Sequence, residues 1–316
     1  MNNIISVAII IIPGTAQSAV YGLIDLFQSA NRILSEMQPD TNVAFKISRW
    51  KVEKECLVSL DDSCSPLLVI VPPVLEGQAY LDKQGDLCRQ LSTWHQQGAT
   101  ISSACAGAFL LAQAGMLQGR KATTHWQLER LFRQHYPTIE LDINALLISD
   151  PDVITAGGVM SWMDLGLHLI SRYVPSTVVQ ALGRFLLVDI GPRQQGFYRS
   201  FLPIMNHHDN AILTAQHLIH RGFSGPLLVE NLAQEANLTE RTFLRRFQKA
   251  TGLTPSEYIQ QFRVHKAREL LENSTTTVDQ IAWMIGYEDV SAFRRMFHKQ
   301  TGLTPSQYRS RSGHKS

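Results

Sequence analysis

The chain has 316 residues, 44% of them hydrophobic and 18% charged, with a net charge of +2. That is longer than one ordinary domain and too apolar for a mainly disordered chain, and the whole-chain charge does not announce a nucleic-acid partner. The four cysteines, Cys56, Cys64, Cys88 and Cys105, form no CxxC pair, which argues against a disulfide-stapled secreted framework and against zinc; no metal or cofactor is expected.

Residues 4–12 are apolar except for Ser6, as in a buried central strand of a parallel sheet. The run is too short to span a bilayer and lacks a basic leader, and no apolar run of about 18 residues occurs elsewhere. The expected location is therefore cytoplasmic. Pro13-Gly14 ends the strand, and residues 19–35 carry helical spacing at Leu23, Leu26, Phe27 and Leu34. Strands are predicted at 43–50 and 67–71, a helix at 81–96, and a short strand at 100–103 that runs into Ala104-Cys105-Ala106-Gly107-Ala108. A helix over 109–114, a helix after His125-Trp126 up to Tyr136, paired strands at 146–149 and 153–156, and helices over 161–172 and 175–188 complete this half. Strands alternating with helices predict a doubly wound α/β domain over 1–188 with a mostly parallel sheet. Residues 189–207, with Gly191-Pro192, Gly196 and Pro203, read as a linker.

From residue 208 the pattern is entirely helical, with helices predicted at 210–220, 227–236, 240–250, 255–271, 278–285, 290–299 and 305–310. Thr254 and Thr304 stand before Pro255 and Pro305, with Glu257 and Gln307 three residues on, which predicts two capping boxes. Thr239 is the expected cap of the helix from 240. Residues 1–207 hold 15 Lys+Arg against 17 Asp+Glu, and residues 208–316 hold 14 against 10, so the basic excess sits in the helical half.

That half contains an internal repeat. RTFLRRFQKATGLTPSEY from Arg241 returns as SAFRRMFHKQTGLTPSQY from Ser291, an offset of 50 residues. Each copy pairs a short supporting helix with a basic second helix, which is the outline of a DNA-reading helix-turn-helix. Phe243 and Phe247, and their counterparts Phe293 and Phe297, share a face expected to be buried. Arg241 and Arg245, and Ser291 and Arg295, take positions that can point outward. Such an arginine can bind guanine in a bidentate pair or hold a phosphate more loosely. Trp283 packs between the copies or covers the outer face of its helix. His207-His208 reads as structural.

These residues, with Ile281-Ala282, Gly286-Tyr287 and Asp289 of the second copy, give residues 208–316 a strong resemblance to the AraC-type DNA-binding domain. The resemblance implies seven helices, with two helix-turn-helix units held by the long helix 255–271. It places Arg241, Arg245, Ser291 and Arg295 at DNA-facing positions. It further implies double-stranded DNA and RNA polymerase as partners, a homodimer, and activation rather than repression.

In the first half, Cys105 follows a strand and opens a helix among small residues. That setting strains the backbone and exposes the side chain, as in a nucleophile elbow, and a helix N-terminus lowers a thiol pKa. Alternatively, Cys105 is a small residue packed at a tight turn. His125 is the nearest candidate base or a structural hydrogen-bonding residue, and Asp164 is a candidate acid or a helix cap. Ala104–Phe109 and Gly119–Trp126, with Ala156-Gly157-Gly158 and Met163-Asp164-Leu165, make residues 1–188 similar to the PfpI and class I glutamine amidotransferase-like domain, a flavodoxin-like fold, in the version fused to AraC-type domains in GlxA-type regulators. Two departures bear on activity. The histidine that hydrolytic relatives place after the nucleophile is Ala106, and the stretch PGTAQS from Pro13 supplies no acid. The resemblance thus implies a binding pocket rather than an enzyme, with Cys105, His125, Trp126 and Asp164 around a small effector such as an amine or amino-acid derivative. The alternative is a thiol hydrolase using Cys105.

Overall fold

The structure, a computed structural model, describes residues 3–54, 56–61, 64–190, 195–198, 201 and 203–312. The chain divides into two compact units, Met1–Gln195 and Gly196–Ser316, a division that falls inside the stretch read as linker. The Gly191-Pro192 step expected there lies outside the described residues.

The first unit is built in chain order from β1 (Asn3–Ile11), α1 (Gln17–Met37), β2 (Val43–Glu53), β3 (Cys56–Ser59), β4 (Leu68–Val71), α2 (Gly85–Gln96) and β5 (Thr100–Ala104). It continues with α3 (Ala108–Gln113), β6 (Lys121–Ala122), α4 (Glu129–His135), β7 (Glu140–Leu141), β8 (Leu147–Ser149), β9 (Val153–Ala156), α5 (Trp162–Ser171) and α6 (Ser176–Leu186). Seven strands form one sheet in the order β3-β2-β1-β4-β5-β9-β8. The interior pairs are parallel, and the two edges, β2–β3 and β8–β9, are antiparallel.

The unbroken apolar run of β1 has a direct cause, because both of its faces are covered. Ile5, Val7 and Ile9 join the core under α1, α5 and α6, while Ala8 and Ile10 join the core under α2, α3 and α4. Helix α1 meets its layer through a stripe at Ala19, Val20, Leu23, Leu26, Phe27, Ala30, Ile33 and Leu34, the spacing of one helical face. Arg120 ties the β8–β9 hairpin to the rest of the unit. Its guanidinium donates to Asp150 at 3.1 Å and to both Asp152 oxygens at 2.7 and 2.9 Å, and His95 Nε2 lies 2.7 Å from Asp152. Arg120 first and His95 second hold the Asp152 carboxyl well below the usual carboxylate range.

The second unit consists of α7 (Asn210–Gly222), α8 (Val229–Glu235), α9 (Glu240–Thr251), α10 (Pro255–Asn273), α11 (Val278–Met284), α12 (Val290–Thr301) and α13 (Pro305–Arg311). It has two apolar cores. One gathers α7, α8, α9 and the start of α10 around Phe243, Phe247 and Tyr258. The other gathers the rest of α10 with α11, α12 and α13 around Phe293, Phe297 and Tyr308. The 19-residue α10, about 28 Å long, takes part in both.

The capping boxes at Thr254/Glu257 and Thr304/Gln307 are present, and Thr277 with Gln280 adds a third at α11. Thr239 corrects one expectation. It stands at the cap position of α9, but its hydroxyl bonds Thr242 Oγ1 at 3.0 Å and no backbone N–H donates to it. Of the two placements expected for Trp283, its 59% exposure fits the outer face of its helix and not packing between the copies.

Candidate nucleic-acid interface and ligand site

Each reading helix is amphipathic in the same way. Phe243 and Phe247 of α9, and Phe293 and Phe297 of α12, are fully buried, with ring centroids 5.4 and 5.6 Å apart. The second ring of each pair meets a tyrosine edge-on, Phe247 with Tyr258 and Phe297 with Tyr308, both at 5.3 Å. Each helix ends on a glycine in the left-handed region, Gly252 (φ 79°) and Gly302 (φ 75°), where a side chain would be strained. In both copies the preceding threonine, Thr251 or Thr301, donates back to the phenylalanine carbonyl at 2.8 Å. With one face fixed this way, Arg241, Arg245, Ser291 and Arg295 are all exposed on the remaining arc.

Arg241 and Arg245 make no hydrogen bond or ion pair among the described residues. Arg295 lies 3.7 Å from Asp289, an exposed and loose pair. The neighbouring arginines have structural work. Arg246 clasps Asp209, the cap of α7, at 2.9 and 2.6 Å, and Arg294 donates to Asp279 at 2.8 Å. Charge assistance between them holds Asp209 below the usual carboxylate range.

The Cys105 site is strained as expected, and of its two expected settings it fits the residue packed at a tight turn rather than the exposed nucleophile. Cys105 has φ 55°, an uncommon conformation for a residue with a side chain, at the junction of β5 with a short 3-10 turn. Its thiol is 4% exposed, not open to solvent, and burial pushes its pKa up to about 11, only partly offset by the Ala106 N–H. The expected lowering at a helix N-terminus fails because the thiol lies in the apolar core of α2, α3 and α4, where desolvation outweighs one backbone dipole. Thr124 Oγ1 donates to the Cys105 carbonyl at 2.7 Å. Charge on the Cys105 sulfur would raise the Tyr80 pKa, which burial already raises, so Tyr80 belongs to the same surroundings.

His125 and Trp126 stack on each other at 5.5 Å. The His125 ring caps the turn that leads into α4, its Nδ1 accepting from Gln127 N–H at 3.2 Å, and burial lowers its pKa. No hydrogen bond joins the ring to the Cys105 thiol. Burial therefore favours the neutral form of both groups, which is the reverse of a thiolate–imidazolium pair. Asp164 stands half-buried in the first turn of α5, where a carboxylate suits the helix dipole. Strands β5 and β9 are neighbours, so Cys105 and Asp164 both follow the carboxyl edge of the sheet. Their helices then leave over opposite faces.

Sequence reasoning missed one residue here. Gln195, read as linker, is 2% exposed, and its side-chain amide donates to Thr123 Oγ1 at 3.0 Å, to the Thr124 carbonyl at 2.9 Å and to the Ala145 carbonyl at 3.1 Å. Nothing in the local sequence marks it, because its partners lie 50 to 72 positions away.

The DJ-1/PfpI family model matches residues 6–172, and a helix-turn-helix domain model matches residues 232–311. The first match spans more than half of the chain, so the chain belongs to the DJ-1/PfpI family. The pairing expected from the sequence, an AraC-type helix-turn-helix domain behind an amidotransferase-like domain, is the pairing these matches give.

Among relatives, the HTH-type transcriptional regulator CdhR of Pseudomonas aeruginosa is 29% identical over 229 residues, covering 72% of this chain and 64% of the relative. The HTH-type transcriptional regulator ArgR of the same organism is 29% identical over 195 residues, 61% of this chain and 58% of its own length. An isonitrile hydratase of Pseudomonas putida is 30% identical over 122 residues, 38% of this chain and 48% of its own length. The match thus spans somewhat under two thirds of the two regulators. No helix among the described residues is long and apolar enough to cross a membrane.

Proposed function

We propose that this protein is a sequence-specific, DNA-binding transcriptional activator. It works in the cytoplasm as a homodimer, with a first domain (residues 1–188) that binds a small effector and a second domain (residues 208–316) that reads DNA. The observation that carries this reading is the pair of matched reading helices, α9 and α12, with Arg241, Arg245, Ser291 and Arg295 exposed opposite buried phenylalanine pairs. A helix of this kind enters a major groove, and its arginines either pair with guanine edges or fix the register on phosphates. RNA polymerase is the partner that activation requires.

In the first unit, Cys105, His125, Trp126 and Asp164 line or brace the effector site. An amine or amino-acid derivative suits them, through charge pairing with Asp164 and a cation–π contact with Trp126. Binding that favours one arrangement of the chain over another would shift how the reading helices meet DNA. The rival reading, a thiol hydrolase, has a relative named as a hydratase in its favour. Against it stand a buried thiol with a raised pKa and a histidine that makes no hydrogen bond to it.

The test is genome-wide mapping of bound DNA, followed by binding of purified protein to a recovered site against random competitor. A strong preference for the recovered site is expected. Equal binding to all DNA ends the reading.

A further inference from the structure

The environment of the Gln195 side chain is unusual in its chemistry. Three oxygens, Thr123 Oγ1 and the carbonyls of Thr124 and Ala145, surround one nitrogen at 2.9 to 3.1 Å. Two of them are carbonyls, which cannot donate, so the amide nitrogen must be the atom that faces them. An amide nitrogen has two hydrogens for these three acceptors. Thr123 Oγ1 also donates to the Ala145 carbonyl at 2.9 Å, so one N–H of Gln195 is shared between them. The other end of the amide fares worse. Among the described residues, Gln195 Oε1 is buried without a hydrogen-bond partner, which is costly for a polar atom.

Ser103 Oγ, fully buried, is also unpartnered. Ser103 faces Thr155 in the β5–β9 register, and Thr155 Oγ1 accepts from the Thr123 N–H at 2.9 Å. Gly157 leaves room for the amide, since a Cβ there would stand 2.3 Å from Gln195 Nε2.

We propose that these oxygens form a binding site for the primary ammonium group of a small organic molecule, and that Gln195 is a resident plug which such a ligand displaces. A primary ammonium carries three N–H groups for the three acceptors and brings no orphaned oxygen with it. A quaternary ammonium carries none and gains nothing there. The site adjoins Cys105 through Thr124, whose carbonyl accepts from Gln195 and whose hydroxyl donates to the Cys105 carbonyl. Gln195 is the last residue of the first unit, so evicting it frees the point where the chain leaves that unit. The proposal rests on the reading of the first unit as a ligand-binding unit and does not depend on DNA binding.

The experiment is a titration of the full-length, 15N-labelled chain with n-butylammonium chloride, and with tetramethylammonium chloride at equal ionic strength. The Gln195 side-chain amide signal is assigned by its absence in Gln195→Glu. Without ligand that signal is expected to exchange slowly with water. Butylammonium should abolish the protection, and tetramethylammonium should leave it. In Gln195→Glu, nearly the same size as the native side chain, the carboxylate is repelled by the two carbonyls and vacates the site. Butylammonium should then bind at least about tenfold more tightly, as expected when a competitor that fills nine-tenths of the sites is removed. Thr123→Val should weaken binding in either background.

Equal release by both cations overturns the proposal, because the site would then read charge and not N–H groups. A melting temperature raised by butylammonium while the Gln195 signal stays protected also overturns it, since the amine then binds elsewhere; the ligand-binding reading survives that result. No response of either signal to any amine, amino acid or other small molecule removes both. If Gln195→Glu fails to fold, the signal is assigned instead through its carbon connectivity to the Gln195 backbone in doubly labelled wild-type protein, and the wild-type exchange measurement still decides.

Discussion

The two helix-turn-helix copies share a skeleton and differ in what hangs from it. The phenylalanine pairs, the edge-on tyrosines, the back-bonding threonines and the left-handed glycines superimpose residue for residue at the offset of 50. Several polar side chains that pair with neighbouring elements do not correspond, although the outward Arg245 and Arg295 do. Arg246, which clasps Asp209 in the first copy, is Met296 in the second, and Arg294, which pairs with Asp279, is Leu244 in the first. Asp289 caps α12 where Thr239 makes no cap bond to α9. Tyr258 accepts from Gln216 at 3.0 Å and bonds His220 Nε2 at 2.8 Å, whereas Tyr308 donates to the Glu272 carboxylate at 2.5 Å. The buried framework is duplicated, while several contacts with neighbouring elements have diverged. The two copies are therefore one scaffold carrying two different reading faces.

The largest effect should leave the copies equal. Phe247→Ala and Phe297→Ala each remove a fully buried ring, at a cost of about 3–5 kcal/mol. Urea unfolding followed at backbone amides of each core would check this, and a gap well above about 1 kcal/mol would break the equivalence. Next come the outward arginines. Arg245→Ala should weaken binding to a cognate site by about 1–3 kcal/mol if it pairs with a base. Arg295→Ala should cost somewhat less, because Arg295 gives up its contact with Asp289 to reach DNA, a contact worth about 0–1 kcal/mol. Equal weakening on random DNA would mean phosphate contact instead. Competition binding at fixed salt separates these outcomes.

A smaller difference is expected at the tyrosines. Tyr258→Phe leaves His220 Nε2 without its partner and one Gln216 N–H unpaired, the other keeping the Ile204 carbonyl, at about 1–3 kcal/mol, while Tyr308→Phe loses a bond to a carboxylate that water can reach, at about 1 kcal/mol. Chemical denaturation of the two variants ranks them. The mildest effect is that of pH. Burial lowers the pKa of both His220 and His265, and His217 and Lys266 add to the lowering at His220. A depressed folded-state pKa means that the unfolded chain binds protons first as pH falls. The first core should therefore lose stability below about pH 6.5, the ordinary histidine value, and keep it above. His220 stacks on Tyr258 of the first core, whereas α11 and α13 carry no histidine and His298 of α12 is exposed, so hydrogen exchange between about pH 7.5 and about pH 5.5 should loosen the first copy ahead of the second.

The elements with long periodic patterns were legible from the sequence. The apolar run of β1, the stripe of α1 and all seven helices of the second unit follow from spacing and caps alone. Strand β3 was not, because it is four residues long and lies at the sheet edge, where its alternation of half-buried and exposed residues is too brief to register. The two-residue strands β6 and β7 carry no pattern at all. The strain at Cys105 could be read from small residues between a strand and a helix. Its burial could not, since that depends on α2 and α4 closing over it from elsewhere in the chain. Arg241 and Arg245 were legible as outward because the helix period fixes a direction. Arg246, one position on, carries no such signal, because only the fold brings Asp209 to it. Gln195 is the same case in the first unit.

The exposed indole of Trp283 gives the molecule a built-in optical reporter. Trp94 and Trp162 are buried, and Trp50 and Trp126 are half-buried, all in the first unit, while Trp283 is 59% open to water one helix before α12. Red-edge emission and acrylamide quenching of the unlabelled chain should therefore be dominated by a single chromophore beside the second reading helix. A titration with DNA could be followed in that signal without attaching a dye.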